Sequence, residues 1–379
     1  MKKIISLFLS ALMLLSLFAG CSIQPNPYKD DPEAAEEALH PQESQEPGTE
    51  TETRDFAAAY AAYEPDMVVA TVNGLDVTWS EYFYWCMNIM RNVEAYVGTI
   101  EDFNADFGGM SYADYFRTAA ENNVRQYRAV EYYAQKEGIE LSDEALAAIE
   151  DQLQQDIASV SADGTEEGLN EYLESIYTNR ETYDYVNRVA MLYGESAVYF
   201  CGEGGEKLTE DEVLSFADQS GLMAAKHILL STMAEDGTTH LSDDEKAEKL
   251  ALAKELIERI DAGEDFDTLM AEYSEDPGSA AYPMGYCFAT GEMVTEFEQA
   301  VTGLEVNEYT TEPVESSYGY HIVKKIPFTP DMVYTAQGMS IRQMAANEKF
   351  NSIINEWFLA SPIEYADGFE LDFAEVFGK

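Results

Sequence analysis

Proline restricts where a helix can run, and here its distribution is lopsided. Pro25, Pro27, Pro32, Pro41, Pro47 and Pro65 crowd the first 65 residues, and none lies between Asp66 and Asp276. Because the proline ring fixes φ and removes an amide donor, that gap is where long helices can be built. Ahead of it, Ser22 to about Glu64 is rich in Pro, Glu, Gln, Ser and Thr with almost no large aliphatics. So little apolar surface cannot offset the entropy of ordering. The expectation is a disordered acidic linker over 21–65, extended by repulsion among its carboxylates. The chain of 379 residues, 46% hydrophobic and 12% aromatic, holds material for two or three domains. Its 22 basic and 72 acidic residues give a formal charge of −50. Such a chain does not neutralise phosphates, which rules out nucleic acid and anionic headgroups as direct partners. Four His and four Cys leave little material for a metal site or a disulfide framework. No metal and no cofactor is expected.

Met1-Lys2-Lys3 and the uncharged run Ile4–Ala19 form the basic and apolar parts of a signal peptide over 1–20, too short to span a membrane. The run ends in Leu17-Phe18-Ala19-Gly20-Cys21, which resembles a bacterial lipobox. That resemblance implies cleavage before Cys21 and a diacylglycerol on its sulfur, anchoring the mature chain to the membrane on its extracytoplasmic face. A plain secreted protein is the alternative. The other three cysteines, Cys86, Cys201 and Cys287, have no CxxC spacing, and Cys86 and Cys287, among apolar neighbours, read as buried thiols.

Residues 66–221 read as mostly helical. Met67–Val72 is a β-branched run that turns at Asn73-Gly74. A helix follows from Thr78, where Thr78 and Glu81 make a capping-box pair, with Tyr82, Cys86, Ile89, Met90 and Val93 on one face. A second helix, about Tyr112–Glu137, carries Tyr112, Phe116, Ala119, Val124, Tyr127 and Val130 inward and stops at Gly138. Ser142 caps a third. Further helices are expected over 166–177, 180–199 and 210–219, the last behind a Thr209/Glu212 capping box. No catalytic spacing occurs here, and the Gly202–Lys207 loop lacks the pattern that cradles phosphate. The tyrosine-rich faces read as core, or else as a groove for unfolded polypeptide.

Over 222–327 the pattern becomes strand, helices, strand, helix, strands, a compact α+β domain. AKHILL (225–230) is a short apolar strand. Ser242 and Glu245 open a helix that ends at Gly263, a second helix runs through Phe266–Tyr273, and Asp276-Pro277-Gly278-Ser279 is a turn. Two strands near 312–315 and 320–326 flank Gly319. A last helix is expected over about 336–358.

AKHILL, IDAGEDFDTLMAEYSEDPGSA (260–280), GEMVTEFEQA (291–300) and YGYHIVKK (318–325) stand in the order of one known family. Together they resemble the parvulin-type peptidyl-prolyl isomerases, specifically the PrsA/SurA-like extracytoplasmic foldases. VATVNGLDVTWSEY (69–82) looks like the start of the N-terminal chaperone domain of such proteins. The resemblance implies a multidomain α and α+β fold. A mostly helical chaperone domain (66–221) holds an inserted α+β isomerase domain (222–327), and a C-terminal helical segment (328–379) returns to the first. It implies His227, Asp276 and His321 as the catalytic cluster, with Ser316 at a hydroxyl position. Met293 and Phe297 would be the apolar seat for a proline ring. The stretch Tyr282–Phe288 departs from the family's glycine-rich sequence, as do Val294 and Tyr318, so the pocket floor is expected to differ.

On residues alone, His227 or His321 would be a core histidine, and Met293 with Phe297 ordinary core at i and i+4 spacing. Two of only four histidines at both family positions favour a site. The implied function is isomerisation of X-Pro bonds and chaperoning of exported, unfolded or proline-containing polypeptides, with no metal. Two alternatives stay open, a non-catalytic holdase and a solute-binding lipoprotein. The oligomeric state is also open, a homodimer among the options.

Overall fold

The computed structural model describes residues 56–161, 163–234 and 239–377. The signal peptide, Cys21 and the linker up to residue 55 lie outside the described residues. In chain order, α1 (Ala57–Tyr60) precedes a hairpin of β1 (Val68–Val72) and β2 (Leu75–Thr78). Helix α2 (Trp79–Val97), the short ladder β3 (Asp106–Phe107) and β4 (Met110–Ser111), and α3 (Tyr112–Glu137) follow. Next come α4 (Asp143–Val160), α5 (Glu166–Ser175), α6 (Arg180–Cys201) and α7 (Glu210–Gln219). The chain continues with β5 (Met223–Ser231), α8 (Asp243–Asp261), α9 (Phe266–Tyr273), β6 (Tyr286–Phe288), α10 (Thr295–Thr302), β7 (Val314–Ser316) and β8 (Gly319–Lys325). It closes with α11 (Ile341–Leu359), β9 (Ile363–Tyr365) and α12 (Phe373–Phe377). There are two compact units: one ends at Tyr199 and resumes at Asn351, the other is Phe200–Phe350. These limits differ from the expected 221/222 and 327/328. Residues 328–350 join the α+β unit where the Thr335 N–H donates to the Cys287 carbonyl at 2.8 Å, and residues 200–221 are tied to them by the Lys349–Glu212 pair at 2.8 Å and by Arg342, which donates to the Leu208 carbonyl.

The helical unit is organised on α2. Thr78 caps it by accepting from the Glu81 N–H, and Trp79 through Met87 are all buried. Its first half is therefore covered on every side, where the sequence pattern indicated one apolar face. Ile89 and Val93 are only half-buried. Glu81 does not close the expected capping box, because its carboxylate turns inward to Arg128 of α3. Asn73 and Gly74, both at positive φ, make the two-residue turn between β1 and β2, the conformation that matches strand twist. Helix α3 ends at Gly138 in the left-handed region, but Ala120 is buried in place of the expected Ala119, which is only half-buried.

Two terminal segments complete this core. β9 pairs antiparallel with β1, Val72 opposite Ile363, and Phe377 stacks on Phe83 with centroids 5.2 Å apart. Residues 56–64 correct the expected linker. Phe56 is 3% exposed, Tyr63 meets the Trp79 ring at 4.9 Å, and the Trp79 indole N–H donates to the Tyr60 carbonyl. Burying each such aromatic contributes roughly 1.5–3 kcal/mol, enough to order a stretch poor in aliphatics.

The second unit is built on an antiparallel sheet in the order β6-β5-β8-β7. Side chains alternate across a strand, and the two faces are distinct. Ile228, Leu230, Tyr320 and Ile322 pack under α8 and α9. Ala225, Phe288 and Val323 meet Phe297 and Val301 of α10. Helix α8 starts at the expected Ser242/Glu245 capping box. Helix α11 starts at Ile341 rather than near 336. Tyr334–Met339 is a turn with Gly338 at positive φ, and Ser340 accepts from the Gln343 N–H.

Candidate active site

The pairing of β5 with β8 sets Leu229 opposite His321 and His227 opposite Val323. The two histidines are therefore diagonal neighbours on one face, within side-chain reach. Their Nδ1 atoms lie 2.9 Å apart with ring planes at 12°. Both rings are buried, His227 at 8% and His321 at 3% exposure. Phe297 presents its ring to both, with centroids at 5.2 and 5.8 Å.

Asp276 follows α9 and lies 3.0 Å from His227 Nε2 through Oδ2. The same oxygen accepts from the Tyr286 hydroxyl at 2.6 Å and the Ser279 hydroxyl at 3.0 Å, while Oδ1 accepts from the Gly278 N–H. Burial alone would raise the Asp276 pKa. The hydrogen bonds from His227, Tyr286 and Gly278 outweigh it and hold the carboxyl well below the usual range. At the other end Ser316, the last residue of β7, sits 2.7 Å from His321 Nε2 and accepts from the Tyr318 N–H.

These partners fix a direction. An ionised Asp276 accepts, so His227 Nε2 donates. With one proton on each ring, His227 Nδ1 then accepts from His321 Nδ1–H, and His321 Nε2 accepts from Ser316. Burial, helped by His227, lowers the His321 pKa to about 4, only partly offset by Asp276. The stability tied to this neutral ring is present above the ordinary value of 6.5 and lost as pH falls through about 4. A ¹⁵N-resolved histidine titration between pH 5 and 8 is expected to leave His321 with a single ring proton throughout. Protonation of His321 inside that window would contradict the arrangement.

The structure brings His227, Asp276, His321 and Ser316 into one hydrogen-bonded chain, with Phe297 buried against it. Met293 is half-buried in the same apolar cluster as Phe297. Its loop is held by Glu298, which accepts from the Gly291 and Met293 N–H groups at 2.8 and 2.9 Å. Sequence reasoning missed Tyr286, Ser279 and Gly278. Tyr286 pairs with Ala225, which shares a strand face with His227, a register that the sequence does not state. Tyr318 is 55% exposed and Val294 caps α10 without a side-chain bond. Cys86, Cys201 and Cys287 are buried free thiols, and among the described residues no His/Cys/Asp/Glu cluster could hold a metal.

Residues 213–326 match the family described as PPIC-type PPIASE domain. The chain is 33% identical over 196 residues to a foldase protein PrsA of Halalkalibacterium halodurans, covering 51% of this chain but 47% of that one. To a foldase protein PrsA of Caldanaerobacter subterraneus it is 26% identical over 296 residues, 76% of this chain and 82% of the other. The solved PrsA of Bacillus subtilis aligns at 20% identity, over 78% of this chain and 91% of that one, with a TM-score of 0.25.

Proposed function

We propose that the chain is a peptidyl-prolyl cis–trans isomerase and chaperone for exported polypeptides, a reading supported by the PPIC-type match over residues 213–326 and by the similarity to PrsA foldases. The observation that carries the reading is the continuous hydrogen-bonded chain Asp276–His227–His321–Ser316 beside the buried Phe297 ring. Rotation about an X-Pro bond faces a barrier of about 18–20 kcal/mol because resonance stiffens the planar amide. That resonance separates charge between oxygen and nitrogen, and twisting removes the separation. A dry apolar seat therefore favours the twisted form over the planar one. Met293 and Phe297 supply the seat for the proline ring, and the polar chain behind it is self-satisfied. No covalent intermediate or cofactor is required.

The lipobox-like LFAGC (17–21) supports a diacylglycerol on Cys21 and tethering to the extracytoplasmic face of the membrane. There the isomerase would meet clients before they fold. Uncatalysed exchange takes tens to hundreds of seconds, long enough to limit the folding of an exported chain.

The test is NMR exchange on a short unphosphorylated X-Pro peptide with the chain lacking residues 1–21. Acceleration at substoichiometric protein is the expected result. A folded protein that leaves the exchange rate unchanged would sink the isomerase reading and leave a holdase.

A further inference from the structure

Oδ2 of Asp276 is shared by three donors, His227 Nε2, the Ser279 hydroxyl and the Tyr286 hydroxyl, and the tyrosine bond is the shortest at 2.6 Å. The arrangement is built for that contact. Tyr286 reaches inward from β6, its ring edge-on to His227 at 5.6 Å. Residue 278 is glycine at the one place where a Cβ would lie 2.0 Å from the Tyr286 oxygen. We propose that Tyr286 is a positioning residue of the isomerase site: its hydroxyl, donating to Asp276 Oδ2, holds the carboxylate where it takes the His227 Nε2 proton and so fixes the direction of the hydrogen-bonded chain. The inference rests on the isomerase reading for its meaning but not for its test.

The consequence lies in the direction of the hydrogen bonds. A His227 that carried its proton on Nδ1 would donate from there, so His321 Nδ1 would have to accept. His321 would then carry its proton on Nε2 and donate to Ser316, reversing the chain. Burial, together with the bond to Asp276, pushes the Tyr286 hydroxyl well above its usual range, so it stays a donor at working pH. The titratable groups facing the cluster are Asp276, His321 and Tyr286, with no Lys or Arg among the hydrogen-bond partners of the described residues here.

Tyr286→Phe removes the hydroxyl and keeps the ring. ¹⁵N histidine NMR of the parent is expected to show one tautomer of each ring, with the proton on His227 Nε2 and on His321 Nδ1, and the variant a mixture in which the His321 proton also occupies Nε2. Isomerase kcat/KM should fall several-fold at pH 7. Gly278→Ala, which displaces the hydroxyl sterically, should mix the tautomers in the same way. Tautomer signals unchanged in Tyr286→Phe overturn the proposal, whatever the rate does: a rate loss with unchanged histidine signals would mean that the hydroxyl acts on substrate directly. An inactive parent whose variant shows the mixed tautomers would instead remove the isomerase reading and leave the positioning intact.

Discussion

Replacing Asp276 with alanine is expected to lower kcat/KM toward an X-Pro peptide by about two orders of magnitude, the scale for losing one preorganised electrostatic partner. The carboxylate anchors the network: without it His227 Nε2 has no acceptor, and the Ser279 and Tyr286 hydroxyls lose theirs. His227→Ala should fall by a similar factor, because it removes the hydrogen-bonded link between Asp276 and His321. The double variant should be little worse than either single one, since residues acting as a unit are strongly non-additive. Peptide exchange rates at matched protein concentration check this, with Trp fluorescence and circular dichroism confirming the fold. Wild-type rates in Asp276→Ala would show that the chain is scaffolding and that Phe297 and Met293 suffice.

In the helical unit, Arg128→Met is expected to cost about 3–5 kcal/mol at pH 8, the scale for stranding one member of a buried ion pair, and clearly less at pH 5. Burial pushes the Glu81 carboxyl up to about 7, and Arg128 offsets only part of that. The sign follows from linkage. A carboxyl raised in the fold stabilises fully below its ordinary value of 4.5 and loses that contribution as pH climbs through about 7. Without Arg128 the raised value climbs further, so the penalty grows on the alkaline side. Arg128 also bonds Glu131 at 2.8 Å and lies over the Tyr185 ring at 4.1 Å, losses that do not depend on pH. The three tryptophans, Trp79, Trp85 and Trp357, all belong to this unit, so urea unfolding followed by their fluorescence reads it alone. An equal loss at pH 5 and pH 8 would mean that Glu81 remains ionised throughout.

Local signals carried much of this fold. Asn-Gly at 73–74, the glycine after α3 and the capping boxes at Thr209 and Ser242 each act within a few residues, so the chain states them directly. What escaped was set by distant partners. Phe56, Tyr60 and Tyr63 are sparse in a polar, alanine-rich stretch, and rings distant in sequence, among them Trp79, Phe83, Tyr177 and Phe377, order them. Glu81 at the third helical position is indistinguishable in sequence from a capping glutamate until Arg128 is seen beside it. The histidine pair was reached through resemblance, and the sheet register explains why the two rings meet. Tyr286 lay inside a stretch noted only as a departure, because a tyrosine in a short strand is ordinary until the Asp276 carboxylate appears within 2.6 Å of its hydroxyl.

The first unit is discontinuous in sequence, closed by β9 against β1 and by Phe377 against Phe83. A polypeptide that leaves a translocation pore amino end first would present these partners last. Its middle segment, Phe200–Phe350, is contiguous and can reach its final packing while the helical half still lacks its closing strand. Vectorial emergence would thus give the molecule a built-in order of maturation, in which the α+β unit is assembled before the half that flanks it in sequence is complete.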